Sequence, residues 1–239
     1  MKINNIVTRV NAGQRAYGFT LTFPSTAMVE LMGLAGFDYV SFDAEHGPFN
    51  VESLDDLCRV AEGSGLTPTA RVPNIERSTV LQFLDRGILG ITGPHVTTRA
   101  KAQQLADACR YTPLGKRSYG SGRGASFGVL DSVTEYMEDR NSQLVVMAQL
   151  EDAEVLDDLD GILSVDGIDY YSSGPQDIAQ SMGLPGQPNH PRVKKFEATV
   201  RDTVHAAGKK MTDDVMVVAR TSDLVLDAAS AFLKNERSG

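Results

Sequence analysis

Strand-then-helix units of near-constant length, repeated along the chain, predict one α/β domain over residues 1–239, built on a single rolled-up parallel sheet. Two observations carry this expectation. Short apolar or β-branched runs such as Tyr39–Phe42 and Leu144–Gln149 alternate with longer amphipathic stretches, and no Pro-rich, Ser-rich or low-complexity segment divides the chain. With 239 residues, 41% of them hydrophobic, the chain can bury a sizeable core.

Tyr17–Thr22 reads as the first strand, followed by a helix over Ser25–Ala35 capped by Ser25, whose hydroxyl can accept a free backbone N–H of the first turn. Tyr39–Phe42 is the second strand, Val51–Gly63 a helix, and Thr67–Val72 the third strand. A helix around Ser78–Arg86, a strand near Gly90–Ile91 and a long helix over Arg99–Cys109 come next. Beyond a glycine-rich stretch the pattern resumes with a helix at Val133–Arg140, a strand at Leu144–Gln149, a helix at Ala153–Leu163 and a strand at Gly167–Tyr171. A short helix at Ile178–Met182 and a longer one at Val193–Ala206 follow. Gly36 and Gly63 mark helix ends, where a left-handed residue turns the chain toward the next strand.

A net charge of -8 argues against nucleic-acid or anionic-membrane surfaces, both of which need a basic patch. The N-terminus has no signal-like apolar region, and no apolar run reaches the roughly 20 residues that cross a bilayer. The expectation is a soluble cytoplasmic protein working on small molecules. Cys58 and Cys109 lie far apart without metal or redox spacing and read as reduced core thiols.

Ligands of α/β proteins bind at the carboxyl ends of the strands, which singles out the polar residues just after each apolar run. Asp43, Glu45 and His46 follow the second strand in Phe42-Asp43-Ala44-Glu45-His46-Gly47-Pro48, and Arg71 ends the third in Ala70-Arg71-Val72-Pro73. Glu151 follows Leu144–Gln149, and Ser172-Ser173-Gly174-Pro175-Gln176-Asp177 follows Gly167–Tyr171. Two carboxylates, Glu151 and Asp177, with water at the other positions suit a hard divalent cation. A 2-oxo acid can displace two such waters and chelate through its carboxylate and keto oxygens. Cation and Arg71 would then stabilise an enolate, and the His46 imidazole would carry the proton.

Plainer roles compete for some of these residues. Asp177 also suits the N-terminus of a short helix through the helix dipole, and His95, His190 and His205 read as structural. Between Gly115 and Gly128, five glycines accompany Lys116, Arg117 and Arg123. That mobile basic segment is either a flexible surface loop or a lid or subunit contact that meets an anionic substrate.

These segments, with Gly36-Phe37-Asp38-Tyr39, Arg110-Tyr111-Thr112-Pro113-Leu114-Gly115-Lys116-Arg117 and Gly183-Leu184-Pro185-Gly186-Gln187-Pro188, resemble the HpcH/HpaI aldolases. These are class II, metal-dependent pyruvate aldolases typified by 4-hydroxy-2-oxoheptanedioate aldolase, and the resemblance runs in order from about Tyr17 to Gly208. It implies a (β/α)8 TIM barrel, with Glu151 and Asp177 as ligands of Mg²⁺, Mn²⁺ or Co²⁺. It further implies His46 as the catalytic histidine, Asp85 as the aspartate that orients it, Arg71 as the enolate-stabilising arginine and Asp43 as a further acidic residue of the site. Arg71, Gln149, Ser173, Gly174, Pro175 and Gln176 are the implied substrate contacts. A 2-oxo acid and an aldehyde as reactants, a setting in aromatic-compound catabolism, and a homo-oligomer, a hexamer built as a trimer of dimers that exchange a C-terminal helix, complete what the resemblance implies.

Departures bear on the substrate and the barrel. Gln176 stands where the family has a small residue, and Thr92-Gly93-Pro94-His95 is less apolar than the family pattern, which affects the pocket for the second substrate. After Lys210, Met211-Thr212-Asp213-Asp214 runs almost at once into Val215–Ala219, whereas parallel neighbours need a crossover of about a dozen residues. The seventh unit is therefore abbreviated or the barrel incomplete, with strand edges for oligomer contacts to cover. Leu224–Leu233 is expected to be a helix. Three functions follow: a metal-dependent aldolase, a decarboxylase or carbon–carbon synthase acting on oxaloacetate through the same enolate, or a non-catalytic binding protein descended from an aldolase.

Overall fold

The computed structural model describes residues 3–237, in which eight parallel strands form one curled sheet. They are β1 (Ala16–Leu21), β2 (Tyr39–Asp43), β3 (Thr67–Arg71), β4 (Gly90–Gly93), β5 (Val145–Gln149), β6 (Tyr170–Ser172), β7 (Lys210–Met211) and β8 (Met216–Arg220). Their order across the sheet is β7-β6-β5-β4-β3-β2-β1-β8. The helices are α1 (Asn5–Asn11), α2 (Thr26–Leu34), α3 (Val51–Gly63), α4 (Arg77–Asp85), α5 (Arg99–Cys109), α6 (Val133–Gln143), α7 (Leu159–Leu163), α8 (Pro175–Ser181), α9 (Pro191–Ala206), α10 (Thr212–Val215) and α11 (Thr221–Arg237).

The period-two geometry of a strand divides its side chains between two faces. In β2, Val40 and Phe42 turn outward into the fully buried layer under the helices, while Tyr39, Ser41 and Asp43 line the inside. Helices meet this layer along apolar stripes. Asn50 caps α3, accepting from Ser53 N–H at 2.8 Å, and the helix buries Leu54, Leu57, Cys58 and Ala61, one face of a helical wheel. Thr98 caps α5 in the same manner, and Ala102, Leu105, Ala106 and Cys109 bury against β4 and β5. Both cysteines are buried and outside any disulfide, and burial pushes the Cys109 thiol up to about 12, which keeps it protonated.

At the amino ends of the strands α1 acts as a plug. Ile6 packs with Ala16, Tyr39, Val145, Met147, Val215 and Met216, and the Asn4 amide donates to Leu89 O and Gln143 O at 2.9 and 2.7 Å. Gly18 is required here, since a Cβ at that position would lie 2.2 Å from the Tyr39 ring, which crosses β1 so that its hydroxyl donates to Val217 O of β8. A cavity of about 770 Å³ runs inside the sheet, lined at one end by Arg15, Asp213 and Met216 and at the other by Asp43, His46, Arg71 and Gln149.

The closed (β/α)8 barrel is the expectation that needs correcting. β7 pairs with β6 and β8 with β1, but no pairing joins β7 to β8 among the described residues. The reason is length: only the four residues of α10 connect these strands, too few to carry the chain back for a parallel, hydrogen-bonded neighbour. Arg15 spans part of the seam, donating from Nη2 to Asp213 O and Met216 O at 2.7 and 3.2 Å. The sheet is a curled, unclosed eight-stranded one, as the abbreviated seventh unit foreshadows.

Two further expectations change. The helix over Ala153–Leu163 is a 3₁₀ turn (Ala153–Asp157) followed by α7, broken at Asp158, whose carboxylate accepts the Arg99 N–H at the start of α5. The segment Gly115–Gly128 is tied down rather than mobile. Arg117 is buried over the Tyr111 ring and faces Asp85, Arg123 pairs with Glu62 and Arg86 O, and Lys116 pairs with Asp107. Its cations are met by this chain's own groups, not held free for an anion. The helix expected at Leu224–Leu233 is present as α11, longer at both ends.

Candidate active site

Strand alternation sends Asp43, Arg71 and Gln149 inward at the carboxyl ends of β2, β3 and β5, where all three line the cavity with His46 and Ser172. Arg71 Nε donates to Asp43 Oδ1 at 3.0 Å and Nη2 to Oδ2 at 2.7 Å, a two-bond fork, while Nη1 lies 3.0 Å from Glu45 Oε2. Burial would raise the Asp43 carboxyl, but the hydrogen bonds and charge of Arg71 outweigh it and hold the group below its usual range. Burial likewise works against the Arg71 cation, and the facing Asp43, Glu45 and Glu151 reverse that and raise its pKa.

Beside this pair lies an acidic cluster. Glu151 is 1% exposed, and its Oε2 accepts from the Gln149 side-chain amide. Burial first, and then the charges of Asp177 and Glu45, push its carboxyl up to about 7 against the opposing pull of His95. His95 stands at a positive φ of 52° just past β4; its N–H donates to Glu151 Oε1 at 3.3 Å and its Nδ1 lies 3.0 Å from Asp152 Oδ2. Burial works to lower the His95 pKa, but the Asp152 hydrogen bond and the surrounding carboxylates raise it. Ligand atoms of Glu45, His95 and Glu151 lie within 4.8 Å of one another, a spacing open to a cation.

The predicted residues divide accordingly. Asp43, His46, Arg71, Gln149 and Glu151 converge, and Asp177 reaches the far side of Glu151 from the first turn of α8. Gly174 explains how: a Cβ there would sit 2.6 Å from Glu151 Oε2, 3.2 Å from Gln149 Nε2 and 3.3 Å from Asp177 Oδ2, so the missing side chain leaves a hollow among three polar groups. Ser173 precedes that hollow and Pro175 opens α8, but Gln176 is exposed on the helix and does not line the cavity. Asp85 ends α4 and faces Arg117 Nη2 at 3.4 Å; among the described residues no hydrogen bond or ion pair joins it to His46.

His95, read from sequence as structural, sits inside the cluster with Glu45, which the strand-end rule singles out, and with Asp152, which it does not. The signal was available, since His95 follows the end of β4 by two residues as His46 follows β2 by three. His190 caps α9 and His205 pairs with Asp214, both structural roles as expected.

Buried acids, a pinned guanidinium and imidazoles at the carboxyl ends of parallel strands define a parallel α/β enzyme with its site at one mouth of the sheet. The profile of the HpcH/HpaI aldolase/citrate lyase family matches residues 17–236. A hydroxypyruvate/pyruvate aldolase of Roseobacter denitrificans is 35% identical over 97% of this chain and 90% of its own length. An HpcH/HpaI aldolase/citrate lyase family protein of Burkholderia cenocepacia superposes with a TM-score of 0.88 at 26% identity, covering 98% of this chain and 99% of that one. The citrate synthase SbnG superposes with a TM-score of 0.84 at 28% identity over 97% of both chains. The chain belongs to the HpcH/HpaI aldolase/citrate lyase family, and with it to the carbon–carbon lyases.

Proposed function

We propose that this protein is a divalent-cation-dependent aldolase that splits a 4-hydroxy-2-oxo acid into pyruvate and an aldehyde. The observation that carries the reading is Glu151, a nearly fully buried carboxylate beside Glu45 and Asp177 and next to the hollow at Gly174. Asp43, Glu45, Glu151, Asp152 and Asp177 gather at the mouth, outnumbering the guanidiniums of Arg71 and Arg220 that line the cavity at these strand ends, an excess of negative charge that suits a cation. Glu45 Oε2 is buried without a hydrogen bond, although Arg71 Nη1 is 3.0 Å away, so the donor set has capacity to spare. Glu151 and Asp177 would hold Mg²⁺, Mn²⁺ or Co²⁺, which supplies Lewis acidity toward a keto oxygen.

The chain's own groups account for the rest. Asp43 fixes the Arg71 fork so that its remaining N–H bonds face the cavity, preorganised for the negative oxygen that develops as the C3–C4 bond breaks. His46, at the cavity mouth, takes the C4 hydroxyl proton as the aldehyde carbonyl forms. The electron pair of the broken bond passes to C3 of the enolate, and the same imidazolium returns a proton there to give pyruvate. Gln149 and the Ser173–Pro175 turn border the space for the acid's carboxylate. The likeness to a citrate synthase favours a second reading, in which the same enolate arises from oxaloacetate. A homo-oligomer fits the exposed Leu226 and Phe232 of α11.

The deciding experiment measures pyruvate release from 4-hydroxy-2-oxo acids of several lengths after chelation and after each cation is restored. Cation-dependent release is expected. CO₂ release from oxaloacetate alone would move the protein to the second reading, and no turnover of either would overturn both.

A further inference from the structure

Of the three arginines that border the cavity, Arg71 is held by Asp43 and Glu45, and Arg15 donates to Asp213 O and Met216 O at the opposite end. Arg220 differs: its side chain makes no hydrogen bond or ion pair among the described residues, and none of the carboxylates gathered at the mouth meets it. Arg220 stands in register with Thr20 of β1, and Thr20 with Ser41 of β2, so the three side chains share the inner face of the sheet, where each borders the cavity.

The enolate half of the substrate uses the other sector of the mouth. Gln149 ends β5 and Glu151 follows it, Ser173–Pro175 follow β6, Arg71 ends β3, and His46 follows β2. With C4 at His46, whatever the aldehyde carries beyond its carbonyl extends past β2 toward β1 and β8, one to two strand spacings or about 5–10 Å away. There the cavity is bordered by Thr20, Thr22, Val218, Arg220 and Ser222. A guanidinium without a carboxylate of its own presents paired N–H donors whose geometry matches a carboxylate or phosphate.

We propose that Arg220 is a specificity-determining residue that binds an anionic group on the tail of the aldehyde, so that the preferred 4-hydroxy-2-oxo acids end in a phosphate or a carboxylate. This rests on the aldolase reading of the site. An inward charge on an edge strand can also serve only to blunt that edge. Such a role gives no preference between an anionic aldehyde and its neutral counterpart.

The test is aldol addition of pyruvate by the full chain with saturating Mn²⁺, using matched aldehydes: glyceraldehyde 3-phosphate against glyceraldehyde, and succinate semialdehyde against butanal. Exchange of the pyruvate methyl protons in D₂O, which needs the enolate but no aldehyde, is followed by NMR alongside. The expected result is a kcat/KM about tenfold or more higher for one or both charged aldehydes than for the neutral counterpart, carried mainly by KM, as for a hydrogen bond to a charged group. Arg220→Met should abolish that preference and Arg220→Lys restore part of it, with circular dichroism checking both folds. The pair that shows the larger preference distinguishes phosphate from carboxylate. Pyruvate exchange and addition with no preference for either charged aldehyde, or a preference that survives in Arg220→Met, would overturn the proposal and leave the aldolase reading standing. Neither exchange nor addition by the unsubstituted protein would overturn the aldolase reading and the proposal with it.

Discussion

Arg71 and Asp43 face each other across adjacent strand ends in register, with two hydrogen bonds at 3.0 and 2.7 Å. The pairing uses one edge of the guanidinium and leaves the others turned to Glu45 and the cavity. A guanidinium locked in this way stabilises negative charge without having to reorganise during reaction.

Lysine cannot reproduce the fork. Arg71→Lys is expected to lower kcat by about 10²- to 10³-fold, the cost of losing one preorganised donor, while the substrate KM moves less. Steady-state pyruvate release with saturating cation measures both. An unchanged kcat would show that Arg71 has a binding role only.

Gly174→Ala tests the hollow beside Glu151. Gly174 has an ordinary extended backbone, φ -116°, so the added methyl brings no backbone strain. Its Cβ would nevertheless press on Glu151 Oε2 at 2.6 Å, a contact that forces the carboxylate or the α8 turn to move. Because the atom met is the far end of a side chain that can give way, unfolding should stay within about 1 kcal/mol of the parent, while cation affinity and turnover drop together. Unaltered cation affinity in calorimetry would place the ion away from this hollow.

Much of this site was legible because the strand-end rule needs only the apolar runs to be found: Asp43, Arg71 and Glu151 each lie at or within two residues of the end of a run that forms a strand. His95 was missed because Pro94 and a four-residue strand hide the pattern that exposes the others. The unclosed seam was legible from the short spacing of Met211 and Met216, since covalent length alone forbids a crossover. Burial of Arg117 was not, because glycine-rich composition says nothing of which cation finds a carboxylate across the fold.

Asp85 offers a contrast between a resemblance and a contact. Its neighbour is Arg117, whose side chain is 4% exposed, and burial raises the Asp85 carboxyl while Arg117 opposes. Asp85→Asn should therefore cost about 1–3 kcal/mol in denaturant unfolding by leaving a buried cation poorly compensated. A change in the pH profile of kcat with no loss of stability would instead support the histidine-orienting role.

The seam also carries an acid sensitivity. Asp214 Oδ2 accepts Met211 N–H at 2.7 Å and lies 2.8 Å from His205 Nε2, and Arg201 Nη1 is 3.5 Å from Oδ1. Burial works to raise this carboxyl, but the His205 and Met211 hydrogen bonds and the His205 and Arg201 charges hold it below the ordinary 3.8. A carboxyl depressed in the folded state contributes stability above its unfolded pKa and loses it as pH falls through the folded one. Stability tied to the β7–α10 junction is thus complete above about pH 4 and declines below it. Hydrogen exchange of the Met211 amide should accelerate relative to core amides such as Val146 as pH drops below 4, and Asp214→Asn should show the faster exchange at neutral pH. Equal Met211 protection in Asp214→Asn would show that the carboxylate does not secure this turn.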